Sequence, residues 1–562
     1  MSQRAFCDDW SVTPEQLSDA IRAALTTLVE RGDLAVEVPE TVVVERPRQA
    51  GHGDYATNVA MRLAKPAGKA PRDVASLIGD ELVSRGDTAS FEVAGPGFLN
   101  LTLGAATLGA LAGQIVEQGR AYGAGTTLSG QKINLEYVSA NPTGPVTLAS
   151  ARWAAVGDAL VNILRASGAD VASEYYFNDA GSQIDRFSAS LYAAARGEAV
   201  PEDGYRGDYI TDVAKQVVEQ RPDVLDLPRD EALEVLRILG IERMFADIRR
   251  SLAEYGVEFD RFFNERELHD GGDIARSIEQ LRAAGHVYDK DNALWLRTTE
   301  FGDDKDRVLI RGGGAPTYFA ADVAYYANKR SRGFDKALMI LGADHHGYIG
   351  RLRAVASAFG DDPDQTLEVL IGQMVTLSRG GEPVKMSKRA GNIVTLDQLV
   401  EAVGSDAGRY VMARSSMDSS MDIDIDLWAR KTADNPVFYV QYAHARLSSL
   451  ARNAADLGIE RGDSYDASLL SDEREIALLT LLAEFPRVVA GAAELREVHR
   501  IARYAEQLAA AYHKFYDSCR VLPMGDEPAT DTTIARLWLS EATRVVLANA
   551  LALLGVSAPE QM

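Results

Sequence analysis

Cysteine is nearly absent: the 562 residues hold two, Cys7 and Cys519, at opposite ends of the chain. That excludes a disulfide framework and a cysteine-built zinc site, and it fits a reducing compartment. No uninterrupted run of about 18 apolar residues occurs, so no membrane span is expected. Residues Met1 to Glu15 lack the apolar stretch of a secretion signal, and a cytoplasmic location is expected. Positive charge is also scarce. Lys and Arg number 59 against 82 Asp and Glu, a net charge of −23. Alone, this argues against a nucleic-acid binder, because phosphate contacts rely on Lys and Arg. In a long chain, however, a local basic face can coexist with an acidic remainder.

What is present is an ordinary globular composition, 46% hydrophobic and 25% charged, in a chain too long for one core. The first part, 1–127, reads as a small α+β module. Leu17, Ile21, Leu25 and Leu28 keep helical spacing. Ala35 to Glu45 reads as a strand, a loop with Gly53 and Asp54 precedes a helix, and Phe91 to Leu101 reads as strand, turn, strand. Residues 128–390 change pattern. Strand Ile133 to Val138 runs into a Ser-Ala-Asn-Pro-Thr-Gly-Pro loop, a helix opens near Ala149, and strands follow at Asp170 to Tyr176 and Lys336 to Gly342. This is a doubly wound, Rossmann-like α/β plan, which binds ligands at the C-terminal ends of its strands. About 197–303 turns helical and polar and reads as an insertion. A connecting region, 391–431, leads to an all-α domain, 432–562.

Several groups of residues carry chemistry. Lys385, Met386, Ser387 and Lys388 form a loop whose two lysines can follow a leaving pyrophosphate; on composition alone it is also a plain solvated basic loop. Glu136, an acid inside an apolar strand, leads to Asn141. Tyr318 and Asp322 are four apart and share a face if helical. Asp344 and His345 follow the strand ending at Gly342, and no further ligands nearby complete a metal site.

In this succession the chain resembles the arginyl-tRNA synthetases of class I. The matching strings are Glu136 to Pro145, Phe301 to Arg307, Pro316 to Asp322, Gly342 to Gly347, the Lys385 to Lys388 loop with its continuation through Asp422 to Leu427, and Asn435 to Arg446. The resemblance implies ATP-dependent attachment of L-arginine to tRNA(Arg) through arginyl-adenylate, with magnesium accompanying the ATP, by a monomer. It implies arginine contacts from Glu136, Asn141, Tyr318, Asp322 and Asp344. A guanidinium is a planar fork of five donors and needs carboxylates and carbonyls around it. The ATP contacts fall on Thr147, Ala149, Ser150, His345, Lys385, Met386 and Lys388, and catalytic roles on Lys385, Ser387 and Lys388. Phe98 and Asn100 match the tRNA D-loop-binding module. Tyr442, Arg446 and Arg503 belong to an anticodon-binding domain whose basic stretch runs from Arg496 to Arg520.

One position departs from the family. After Pro145 its members carry a His-x-Gly-His-like tetrad, whose histidines hold the triphosphate and whose glycine admits the adenine. Here the tetrad reads Thr147, Leu148, Ala149 and Ser150, and none of the eight histidines lies in it. Thr and Ser donate hydrogen bonds but carry no positive charge. A charge-assisted bond contributes about 1.5–3 kcal/mol against about 1 kcal/mol for a neutral one. Losing two in the transition state is expected to slow activation ~10²–10⁴-fold. Three readings remain open at this point: an active arginine-tRNA ligase, a diverged paralogue with impaired adenylation serving another arginine-transfer reaction, or a non-catalytic tRNA-binding regulator.

Overall fold

The computed structural model describes residues 14–45, 47, 53–384, 394–525 and 527–562. Three bodies follow one another: an N-terminal α+β module, a Rossmann-like domain and a helical C-terminal domain. In the first, helices Pro14–Glu30, Val59–Ala67 and Pro71–Arg85 cover a four-stranded antiparallel sheet. The expected strand Ala35 to Glu45 shrinks to Val44–Glu45. Pro39 has no N–H to give, and the partner strand Tyr55–Thr57 offers only three residues, of which Thr57 and Ala56 pair with Val44 and Glu45.

The central sheet is fully parallel. From one edge to the other its strands are Leu367–Gly372, Lys336–Gly342, Lys132–Glu136, Asp170–Phe177 and Arg261–Asn264. The chain's first and fourth strands of this sheet are neighbours, so the winding reverses between Glu136 and Gly342. That switch point is where a doubly wound sheet leaves room for a ligand. Helix Leu148–Ala166 packs on the sheet through an Ala-rich face and approaches closely. A Cβ on Gly157 would stand 2.4 Å from the Tyr137 ring, so only glycine fits there.

The stretch 197–303, expected to be a helical insertion, is not helical throughout. Helices Asp208–Gln220 and Arg229–Glu254 are present, but Arg261–Asn264 returns to the central sheet as its edge strand. A hairpin follows, Val287–Lys290 with Ala293–Leu296, extended by Arg307–Ile310. Its two-residue turn, Asp291 and Asn292, has φ of 52° and 56°, the left-handed pair that matches strand twist.

The C-terminal domain consists of helices Pro436–Asp456, Glu473–Leu495, His499–Ser518 and Asp531–Leu553. Helix Glu473–Leu495 is long and apolar enough to cross a membrane by length and composition. In the fold, Leu478, Leu479, Leu482 and Phe485 on it are buried in the helical core. Its start is fixed by a capping box of Asp472 and Glu475.

Two joints tie the bodies together. The Tyr465 hydroxyl donates to Gly109 O at 2.5 Å and accepts from Gly113 N at 2.9 Å, fastening the helical domain to helix Ala105–Gln118 of the first module. Arg409, 1% exposed, donates to the carbonyls of Gly256 (2.8 Å), Tyr255 (3.1 Å) and Leu554 (3.2 Å) and pairs with Asp158. It passes so close to Gly555 that a Cβ there would overlap the guanidinium.

Candidate active site

Glu136 ends a strand with neighbours on both sides and is 5% exposed, so it is no edge-strand surface residue. The chain then turns sharply. Val138 and Ser139 take φ of 68° and 40°, a left-handed conformation that costs about 1–3 kcal/mol at non-glycine residues and persists only where the surroundings enforce it. Here three bonds to the next strand enforce it. Tyr176 N donates to Ser139 Oγ at 3.1 Å, the Tyr175 hydroxyl to Ala140 O at 2.8 Å, and Asn178 N to Asn141 Oδ1 at 3.0 Å. Asn141 is thereby held at the strand end, its amide donating to Gln183 Oε1 at 3.0 Å.

Across the switch point stands helix Tyr318–Ser331, capped by Thr317. Tyr318 is 58% exposed at its first turn, and Asp322 lies one turn below on the same face. The Tyr348 hydroxyl donates to Asp322 from the 3-10 turn Ala343–Tyr348. Burial, reinforced by Glu265 and Glu136, pushes the Asp322 carboxyl up to about 7 against the opposing pull of Tyr348 and Arg351. The same helix face carries Tyr325 and Lys329, and Arg332 follows just past its end. Glu174 meets all three: Arg332 at 2.5 and 2.9 Å, the Tyr325 hydroxyl at 2.5 Å and Lys329 at 3.5 Å. Burial alone would raise the Glu174 carboxyl, but these partners bring it down to about 2. Neither Lys329 nor Arg332 was singled out in the sequence. The Tyr318/Asp322 spacing, continued by three and four residues, points straight to Tyr325, Lys329 and Arg332.

The tetrad opens helix Leu148–Ala166. Thr147 is its N-cap, accepting from Ser150 N at 3.3 Å, and the two hydroxyls meet at 3.1 Å. Ala149 is exposed. Leu148 N donates to Val394 O at 3.1 Å, Leu396 N donates to Val146 O at 2.8 Å, and Thr147 pairs with Thr395. On the other side Val384 N donates to Leu377 O at 2.8 Å. Lys385, Met386, Ser387 and Lys388 lie outside the described residues. Val394, six residues past Lys388, is thus fastened to the start of the tetrad helix. A cleft of about 1140 Å³ opens beside the tetrad, lined by Asn141, Thr147, Ser150, Arg186, Arg206 and Tyr209 among others. His345 is exposed in the 3-10 turn, its ring 6.5 Å from that of Tyr348, and the Asp344 side chain lies outside the described set. Among the described residues, no three His, Cys, Asp or Glu side chains gather to hold a metal.

Residues 15–103 match the arginyl tRNA synthetase N terminal domain, 249–448 the catalytic domain of class I (R) tRNA synthetases, and 440–562 the DALR anticodon binding domain. The arginine–tRNA ligase of Frankia alni is 58% identical over 98% of this chain and 100% of its own. That of Kineococcus radiotolerans is 57% identical over the same shares. The chain belongs to the arginyl-tRNA synthetase family. The arginyl-tRNA synthetase of Thermus thermophilus, 23% identical, shares its fold with a TM-score of 0.74 over 98% of this chain and 100% of that one.

The residues that the family resemblance assigned to tRNA fare unequally. Phe98 is 42% exposed at a strand start, whereas Asn100 is 5% exposed in the sheet. Tyr442 is exposed and stacks on Phe438 at 6.2 Å and His513 at 5.9 Å, while the Arg446 guanidinium lies 3.8 Å over the Tyr516 ring. Arg503 stands apart from this cluster, ten residues before His513 on one helix, about 15 Å along its axis. Three arginines of the basic stretch are paired: Arg496 with Glu368 (3.1 Å), Arg500 with Glu497 and Arg520 with Glu527 (2.6 Å).

Proposed function

We infer that this chain is an arginine–tRNA ligase that joins L-arginine to tRNA(Arg) at the expense of ATP. The observation that carries this is the 57–58% identity to arginine–tRNA ligases along nearly the whole chain. In the first step the arginine carboxylate attacks the α-phosphorus of ATP. An O–P bond forms, the bond to the β-phosphate's bridging oxygen breaks, and pyrophosphate leaves. In the second, a terminal ribose hydroxyl of the tRNA attacks the arginyl carbonyl, loses its proton, and AMP departs.

At the switch point, Asp322, Tyr318, Glu136 and Asn141 converge from two elements and form the arginine site, with Asp322 as the ionic partner of the guanidinium. The cleft beside Thr147 and Ser150 receives ATP. Lys385 and Lys388, which precede Val394 in the sequence, supply the positive charge for the departing pyrophosphate. A magnesium ion arriving with ATP would neutralise phosphate charge. The exposed Phe98 and the Tyr442–Arg446 cluster offer stacking faces to unpaired tRNA bases.

The test is a charging assay with purified protein, ATP, magnesium, arginine and tRNA(Arg), run beside pyrophosphate exchange. Arg-tRNA formation by the unaltered chain is expected. No charging by the unaltered chain, together with charging by the Thr147→His, Ala149→Gly, Ser150→His variant, would overturn adenylation by the present tetrad.

A further inference from the structure

Below the arginine site, the ligand-facing stripe of helix Tyr318–Ser331 continues into the protein and ends in a buried cation. Lys329 is 3% exposed. Its ammonium donates to Glu136 Oε2 at 2.6 Å and to Asn134 Oδ1 at 2.5 Å, and lies 4.4 Å from the centre of the Tyr325 ring. Glu174 stands farther off, at 3.5 Å, and already has the two terminal Arg332 nitrogens and the Tyr325 hydroxyl. The charges therefore sort into pairs, Arg332 with Glu174 and Lys329 with Glu136. The second Glu136 oxygen accepts from Ser139 Oγ at 3.0 Å, so both ends of the carboxylate are fixed.

Asn134 adds a second, independent sign. It is fully buried, and its amide nitrogen has no hydrogen-bond partner. Leaving a buried donor unmade is costly. The amide accepts that cost while its oxygen faces Lys329, so the cation dictates the arrangement around it.

We propose that Lys329 is a positioning residue for the amino-acid substrate: it holds the Glu136 carboxylate in one place at the strand end with its charge balanced. Glu136 then offers arginine a fixed hydrogen-bond acceptor, and the net negative charge that selects a cation is left to Asp322. The proposal rests on the reading that Glu136 touches arginine.

The experiment measures KM for arginine and kcat of tRNA charging with full-length Glu136→Gln, Lys329→Met, Lys329→Arg and the Glu136→Gln, Lys329→Met double variant. Lys329→Met is expected to raise the arginine KM about tenfold or more with kcat changed less than about threefold, and Lys329→Arg to recover part of the loss. In the Glu136→Gln background, Lys329→Met is expected to add less than about twofold, because a residue acting through Glu136 has nothing left to position. An unchanged arginine KM in Glu136→Gln would sink the assignment of Glu136 itself. A raised KM in Glu136→Gln, with Lys329→Met either silent alone or fully additive in the double variant, would overturn the positioning role and leave Glu136 assigned. Should circular dichroism show Lys329→Met unfolded, Asn134→Leu carries the same cycle, since it removes only the neutral acceptor beside the ammonium. It is then expected to raise the arginine KM alone and to add nothing beside Glu136→Gln; additivity there would overturn the proposal.

Discussion

With Asp322 as the proposed ionic partner of the guanidinium, arginine binding is expected to be sensitive to pH within the physiological range. Its carboxyl is pushed up to about 7, first by burial and then by Glu265 and Glu136. A guanidinium stays charged throughout this range and pairs with the ionised acid only. Binding therefore favours the deprotonated form, and affinity rises as pH climbs through the free-state value. With about a tenth of Asp322 ionised at pH 6 and about nine tenths at pH 8, arginine affinity gains about tenfold across that window. At pH 7 about half a proton leaves per arginine bound. Titration calorimetry in two buffers of different ionisation enthalpy reads this release directly. Asp322→Asn abolishes the release and flattens the pH profile. Removing one partner of a buried charge pair costs about 2–5 kcal/mol, so its affinity falls roughly 30- to 4000-fold. Wild-type affinity that stays flat from pH 6 to 8 with no proton released, or an Asn variant that binds as well as the parent, would refute the role given to Asp322.

Thr147→Val removes the hydroxyl that caps helix Leu148–Ala166 and is expected to lower stability by about 1 kcal/mol in urea unfolding, with Thr147→Ser close to the parent. Arg409→Leu strands Asp158 and three carbonyls in the core. A loss of about 3–5 kcal/mol is expected, partly recovered by adding Asp158→Asn. Tyr442→Ala removes an exposed ring from the cluster on helix Pro436–Asp456. It is expected to weaken tRNA(Arg) in filter binding by about 1–3 kcal/mol while leaving arginine affinity alone.

The elements around the switch point were legible because their signals are local. Within Ile133 to Val138 four of six residues are apolar, and the Asn-Pro-Thr-Gly-Pro loop announces where the run stops. Tyr318 and Asp322, four apart, share a face once the segment is helical, and the resemblance to the family singled them out. What escaped was carried by other means. The hairpin after Val287 turns on Asp291 and Asn292, a dipeptide suited to the left-handed turn, but the surrounding polar helices hid it. The edge strand Arg261–Asn264 is four residues long, too short for periodicity to separate from a helix segment. Asn100 carries an amide that sequence assigns to the surface, and only the packed sheet shows it covered. Three arginines of the basic stretch pair with Glu368, Glu497 and Glu527. Glu368 lies more than a hundred residues away, so no local reading of that stretch pairs it with Arg496.

The tetrad of Thr147, Leu148, Ala149 and Ser150 makes charging of tRNA(Arg) the decisive outcome to measure. The direct measurement follows radiolabelled arginine into acid-precipitable tRNA with the unaltered protein, ATP and magnesium, with a tRNA for another amino acid as control. Label on tRNA(Arg) alone, dependent on ATP, is expected. Folded protein that binds arginine and tRNA(Arg) yet leaves the tRNA unlabelled would contradict it.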